Sequence, residues 1–192
     1  RNYQKLVEEA PAHHLDPAVR DRMFEAALAL GGAIGYDSAG TVEFVVDADR
    51  DDAPYFLEMN TRLQVEHPVT ELTTGIDLVE WQLRSAAGET LGFAQEDITR
   101  RGWAIEARVN AEAPAHDCRA SFGAIAAYAE PTLAGGRVDS GVDEHSNVAP
   151  HYDSMIAKVI GHGANRRSAT ARVRAGLRAF RIEGLETNQA FL

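Results

Sequence analysis

Apolar and polar positions fall into blocks of distinct period, and the blocks predict the elements. Asp16-Pro17 marks a helix start, with Asp as N-cap and Pro at the first helical position. Val19, Met23, Ala26, Ala27 and Leu30 then recur at helical spacing, and Gly31-Gly32 and Gly35 weaken or end the helix. Thr41 to Asp47 alternates as a strand, with Val42, Phe44 and Val46 on one face. Asp47 to Pro54 is acidic and turn-like. Tyr55 to Asn60 alternates again, with Tyr55, Leu57 and Met59 on one face, so the pair predicts an antiparallel hairpin. Gly75 to Gly88 predicts a second helix whose buried stripe is Ile76, Val79, Leu83 and Ala86. The stretch Glu89 to Arg101 lacks clear periodicity and is a candidate boundary. A strand follows at Trp103–Asn110, weaker ones at Ala124–Tyr128 and Gly136–Asp139, and a stronger one at Ser154–Gly161. Asn165 caps a last helix, with Ala169, Val173, Gly176 or Leu177 and Phe180 inward and a run of Arg outward. Thr187-Asn188 has the chemistry of a further helix cap.

Composition narrows the class. The 192 residues are 45% hydrophobic and 25% charged, enough apolar material for one large domain or two small ones. Lys+Arg number 19 and Asp+Glu 29, a net charge of −10, which disfavours nucleic acid as the partner. Cys118 is the single cysteine, so a disulfide within the chain is excluded and a cysteine-based zinc site nearly so. One thiol suits a reducing, cytoplasmic setting. No apolar run approaches the roughly 18–20 residues of a membrane span, and no signal peptide is visible. The chain opens on Arg1 and stops at Ala190-Phe191-Leu192, and we expect it to be a piece of something longer.

The hairpin carries the first candidate chemistry. If Asp47 pairs with Pro54, Glu43 stands directly across from Glu58. Like charges at opposed positions destabilise a sheet. A magnesium or manganese ion is one compensation, since hard cations take carboxylate and amide oxygens together with nucleotide phosphates. Two solvated glutamates on an edge hairpin are the other reading. The loop that follows, Glu58-Met59-Asn60-Thr61-Arg62-Leu63-Gln64-Val65-Glu66-His67-Pro68-Val69-Thr70-Glu71, crowds charged and amide side chains directly after a core-type strand. Arg62 can bind a planar anion with two hydrogen bonds. Glu66 can act as a general base. His67 can carry a proton, although a His before Pro at a helix entry is more often structural. On the strand 103–110, Glu106, Arg108 and Asn110 share a polar face. It is either one wet face of an amphipathic strand or a way to hold a guanidinium for an anionic intermediate.

The fourteen-residue loop resembles the signature of biotin carboxylase, the ATP-grasp component of biotin-dependent carboxylases. The resemblance extends, in order, over Gln4–Pro11, Ala39–Phe44, Ala104–Glu112, Tyr152–Lys158, Glu183-Gly184 and Thr187-Asn188. It implies an α+β fold: residues 1–92 as the C-terminal portion of an ATP-grasp domain, and residues 101–192 as the biotin carboxylase C-terminal domain. It implies that Glu43 and Glu58, with Asn60, hold the Mg2+ or Mn2+ ions bridging ATP phosphates. Lys5 matches a lysine close to bicarbonate and the transferred phosphate. Arg62 matches the arginine that orients bicarbonate, Gln64 and Val65 line that pocket, and Glu66 matches the base. Arg108 matches the arginine that stabilises the biotin enolate. The implied partners are a biotin carboxyl carrier domain and a carboxyltransferase subunit, in a homo-oligomer. Acetyl-CoA carboxylase in fatty acid biosynthesis is one such setting, beside propionyl-CoA, methylcrotonyl-CoA and pyruvate carboxylases.

The sequence departs from the family at Tyr3, where His is common, at Ala113, at His151 and through His116–Gly123. The family's N-terminal domain and mobile lid match nothing here, so the chain alone is expected not to turn over. Two alternatives remain at this point. Another ATP-grasp ligase, such as a carbamoyl phosphate synthetase half, shares the Glu-x-Asn-x-Arg core but not Gln64-Val65-Glu66-His67-Pro68. A non-catalytic remnant that binds a partner or carrier is the other.

Overall fold

The computed structural model describes residues 4–47 and 53–192. Tyr3 and most of the turn between Asp47 and Pro54 lie outside the described residues. The chain divides into two compact units. One comprises residues 1–11, 68–73 and 100–192, and the other residues 12–67 and 74–99.

The first unit is built on a four-stranded antiparallel sheet. Its first strand, β1 (Val7–Ala10), is four residues long. The second unit follows with α1 (Pro17–Ile34), the hairpin β2 (Thr41–Val46) and β3 (Pro54–Asn60), and, after the short helix α2 (His67–Thr74), helix α3 (Leu78–Ala86). The chain then returns to the sheet with β4 (Trp103–Asn110). Four short strands come next: β5 (Glu112–Ala113) paired with β6 (Arg119–Ala120), then β7 (Gly123–Ala124) and β8 (Ala127–Ala129). The long elements β9 (Gly136–Ser140), β11 (Met155–Gly163) and α4 (Arg166–Ala179) complete the unit, with β10 (Asn147–Val148) pairing β7 and β12 (Arg181–Glu183) pairing β8.

The sheet order is β1-β4-β11-β9. One face is apolar: Ile105, Ala107 and Val109 of β4, with Ala157 and Val159 of β11, join Ala169, Val173 and Leu177 of α4 in one buried cluster. Both residues offered for the third inward position of α4 are used, since Gly176 and Leu177 are each buried. A Cβ on Gly176 would come within 2.8 Å of Val159, so glycine lets the helix lie close to the sheet. Asn165 caps α4 reciprocally with Ser168, and Phe180 closes it, buried.

In the second unit, Asp16 accepts from the Ala18 N–H at 2.7 Å and Gly35 ends α1 in the left-handed region at φ 61°. Gly31 and Gly32 remain inside the helix. Of the stripe expected on the next helix, Ile76 does line the inward side, but Val79 and Ala86 are exposed and Leu83 is 70% exposed. A concavity is lined instead by Leu78, Trp81, Gln82 and Ser85, facing Tyr36 and Phe93. The inward face is rotated by one residue because Trp81 stacks edge-on to Phe93 with centroids 5.1 Å apart. Ser85 Oγ also donates to the Asp37 carbonyl at 2.7 Å.

Candidate active site

The hairpin places Glu43 directly opposite Glu58, but by a different route from the uninterrupted register. Val46 pairs with Pro54 and Phe44 with Phe56; an irregularity between Glu43 and Phe44 then leaves Leu57 as the extra residue of a bulge. The bulge breaks the simple alternation of β3, and Tyr55, Phe56 and Leu57 are all exposed. At the far end, Thr41 pairs with Asn60.

The like charges are tied together by an amide. Asn60 Nδ2 donates to Glu43 Oε1 at 2.9 Å and to Glu58 Oε1 at 3.0 Å. Gln64, buried, donates from Nε2 to the same Glu43 oxygen at 2.9 Å. Arg62 closes the chain of contacts, donating to Gln64 Oε1 at 2.9 Å and Asn60 Oδ1 at 3.1 Å. The structure thus brings Glu43, Glu58, Asn60, Arg62 and Gln64 into one network. Val65 and Glu66 follow directly, in the turn that leads into α2. His67 Nδ1 lies 2.7 Å from the Gln64 carbonyl, a local contact that pins the loop at the helix entry. Among the described residues, no three His, Cys, Asp or Glu side chains gather to hold a metal ion. A cation at Glu43 and Glu58 would draw on Asn60 and on oxygens of its own ligand, and this all-oxygen donor set fits magnesium.

The other sequence-derived candidates, Lys5 and Arg108, lie in the unit built on the sheet. Lys5 precedes Leu6, whose carbonyl accepts the Arg108 N–H at 2.9 Å. The polar face of β4 is not the wet face of an amphipathic strand. Glu106 and Asn110 are buried, and Arg108 keeps 15% of its side chain accessible. Nor is Arg108 held by the Glu106 and Asn110 of its own strand. Its partner is Glu8 of β1, at 2.5 Å. Sequence reasoning misses Glu8 because a four-residue strand with two adjacent glutamates carries no period-2 signal. Beyond Leu6, where β1 has ended, a side chain takes over the edge of β4. Asn188 Oδ1 accepts the Asn110 N–H at 2.8 Å, and its Nδ2 donates to the Arg108 carbonyl at 3.0 Å. Asn188 does begin a short helical turn, but its own carboxamide serves β4.

The charges continue along the same face. Lys158 of β11 pairs in register with Arg108 and reaches Asp139 of β9 at 3.3 Å. Arg137 bonds Asp139 at 2.9 Å and Glu71 of α2 at 2.7 Å. Within this row Glu106 is pushed up to about 8, chiefly by burial, with Glu8 and Asp139 adding to the rise and Lys158 and Arg108 opposing it.

Residues 1–94 match the family model described as the carbamoyl-phosphate synthase L chain ATP binding domain, and residues 106–192 match the biotin carboxylase C-terminal domain. Over the whole chain, 48% of residues are identical to biotin carboxylase 1 of Bacillus subtilis and 47% to the biotin carboxylase of a Nostoc species. The chain spans 42% of each of those proteins. The mitochondrial propionyl-CoA carboxylase alpha chain of Caenorhabditis briggsae is 47% identical over 98% of this chain, with 26% of its own length covered. The biotin carboxylase domain of Hydrogenobacter thermophilus 2-oxoglutarate carboxylase, solved with MgADP, ADP and bicarbonate, superposes with a TM-score of 0.93 at 44% identity, covering 98% of this chain and 41% of that one. The comparisons and the mixed helix and strand architecture agree: the chain belongs to the biotin carboxylase family, with an α+β fold drawn from its ATP-grasp and C-terminal domains.

Proposed function

We propose that this chain serves the ATP- and bicarbonate-dependent carboxylation of carrier-bound biotin. The observation that carries the reading is the single hydrogen-bonded network of Glu58, Asn60, Glu43, Gln64 and Arg62, leading straight into Glu66. Residues 1–92 supply the C-terminal portion of the ATP-grasp domain and 101–192 the C-terminal domain. Glu43, Glu58 and Asn60 hold Mg2+ or Mn2+, which when bound offsets the charge of the ATP phosphates. Lys5 faces the transferred phosphoryl group and bicarbonate. Arg62 grips bicarbonate in a planar fork, with Gln64 and Val65 lining its pocket. Glu66 takes the bicarbonate proton as the bicarbonate oxygen attacks the γ-phosphorus, giving ADP and carboxyphosphate. Carboxyphosphate parts into carbon dioxide and phosphate, and phosphate accepts the proton of the biotin ureido nitrogen. Arg108 stabilises the resulting enolate as it attacks carbon dioxide. A biotin carboxyl carrier domain and a carboxyltransferase are the partners, in a homo-oligomeric enzyme of the cytoplasm. The acceptor belongs to the acyl-CoA or 2-oxo acid class, and acetyl-CoA in fatty acid biosynthesis is one member of it.

The test is Glu66→Gln in the full-length gene product, with thermal melt and steady-state rate measured on one preparation. As the base, Glu66 is worth about 10²–10⁴-fold. We expect a near-normal melting temperature, retained ATP binding and a carboxylation rate at least about a hundredfold lower. A merely helix-capping Glu66 gives the opposite: a melt lowered by up to about 1 kcal/mol of stability and a rate within a few-fold of the parent. That result would sink the base.

A further inference from the structure

Glu106 has no part in the reaction as described, yet it is the most deeply placed charged side chain on the polar face of the sheet. It is 0% exposed, and among the described residues neither of its carboxyl oxygens has a hydrogen-bond partner. Across β1 it stands directly opposite Glu8, a second like-charged pair, and across β11 it faces Ile160. An ionised carboxylate there would be desolvated, without donors and beside another carboxylate, an arrangement that proteins avoid by keeping the proton.

The charged groups around it form a countable set. Glu8 faces it from β1, Arg108 from its own strand, and Lys158 from β11. Asp139 and Arg137 stand on β9, and Glu71 of α2 is reached through Arg137. His162 of β11, diagonal to Glu106, has its ring nitrogen 2.9 Å from the Arg101 carbonyl. Among the described residues, the cations of the row are Arg108, Arg137 and Lys158. The anions other than Glu106 are Glu8, Glu71 and Asp139. The row is therefore balanced when Glu106 is neutral and carries one excess negative charge when it ionises.

We propose that Glu106 is a positioning residue for Arg108. Held as a neutral acid on the same strand face, it leaves the guanidinium to Glu8, and its ionisation draws Arg108 out of that pairing. The role of Arg108 toward biotin rests on the function proposed above; the proton on Glu106 and its coupling to Arg108 do not. The direction of the pH effect follows from the rise of its pKa from 4.5 to about 8. Folding holds a proton that the unfolded chain has released. Stability from this group is fully present below about pH 4.5 and is lost as pH rises through about 8.

Two measurements on the 192-residue chain test this directly. Carbon-detected NMR of glutamate carboxyl groups, assigned through Glu106→Gln, follows the Glu106 proton. The Arg108 Nε resonance follows the guanidinium. We expect Glu106 to titrate near pH 8 and the Arg108 signal to move with the same midpoint in the parent and stay flat in Glu106→Gln. Thermal melts of that variant should be flatter than the parent's between pH 4.5 and 8. A Glu106 midpoint in the ordinary carboxylate range, or an Arg108 signal that ignores it, overturns the proposal. In the full-length enzyme, kcat/KM for biotin should fall above pH 8 by about tenfold per unit, and Glu106→Gln should remove or displace that limb. An unchanged limb in a folded variant also overturns it. Coupled NMR titrations in a protein that shows no biotin-dependent turnover would support the Glu106–Arg108 coupling and sink the proposed function instead.

Discussion

Among the described residues, glutamates face each other across a pair of strands twice, and the two pairs are handled in opposite ways. Glu43 and Glu58 sit on a two-stranded hairpin where solvent reaches, and Asn60 donates one amide group to both. Glu8 and Glu106 sit inside a four-stranded sheet; Arg108 takes Glu8, and Glu106 has no donor among the described residues. At the hairpin the amide of Asn60 bridges the two side chains, and Gln64 adds a second donor to Glu43. In the sheet the repulsion is relieved by a retained proton. The same sequence pattern, two glutamates opposed across strands, thus meets amide donors where it is solvated and none where it is buried.

The largest expected effect comes from breaking the sheet pair. Glu8→Gln removes the carboxylate that pairs with Arg108, and breaking a buried ion pair costs up to roughly 3–5 kcal/mol. Glu106 is at hand to ionise and replace it, so the single variant should lose less than this. The full loss should emerge only in the Glu106→Gln background. A double-mutant cycle by chemical denaturation measures the difference, and strict additivity of the two substitutions would argue against the retained proton. Next in size is Glu58→Gln at the hairpin. It removes one charge from the proposed metal site with little change of shape, and the full-length enzyme should lose on the order of 10²-fold in rate. Raised magnesium should recover part of it. Unchanged rate and metal dependence would remove Glu58 from the metal role. The smallest effect is Asn60→Leu read as stability alone. Losing the bridging amide lets the half-exposed carboxylates repel, at roughly 0.2–1 kcal/mol for an opposed pair. Added salt should erase most of that deficit, and a deficit indifferent to salt would rule out repulsion as its cause.

The elements with strong local signals are legible in the sequence. The caps at Asp16 and Asn165, the hairpin strands, β4, β11 and the inward face of α4 follow from periodicity and capping chemistry alone. The opposition of Glu43 and Glu58 is legible as an outcome, but the bulge at Leu57 that produces it is not, because an extra residue leaves no mark in an alternating pattern. The face of α3 comes out wrong from periodicity because it depends on where Trp81 meets Phe93, a contact between residues twelve apart. The loop network is legible because its members lie close together in sequence. The setting of Arg108 is not, since Glu8 and Asn188 come from opposite ends of the chain. The stretch 116–123 departs from the family pattern where Asp117 and Cys118 both take left-handed backbone angles, 55° and 52°, between β5 and β6.

The bond from Asn188 to the backbone of β4 sets an order of events during synthesis. Arg108 leaves the ribosome well before the side chain that completes its edge, 80 residues downstream. At translation rates of about 5–20 residues per second, that interval is roughly 4–16 s. Throughout it the edge of β4 beyond Leu6 is open, with the Arg108 carbonyl and Asn110 amide unclaimed by their eventual partner. A nascent chain stalled in this window would present an unpaired strand edge to its neighbours on a polysome. The edge of the strand bearing Arg108 can therefore close only after Asn188 has emerged.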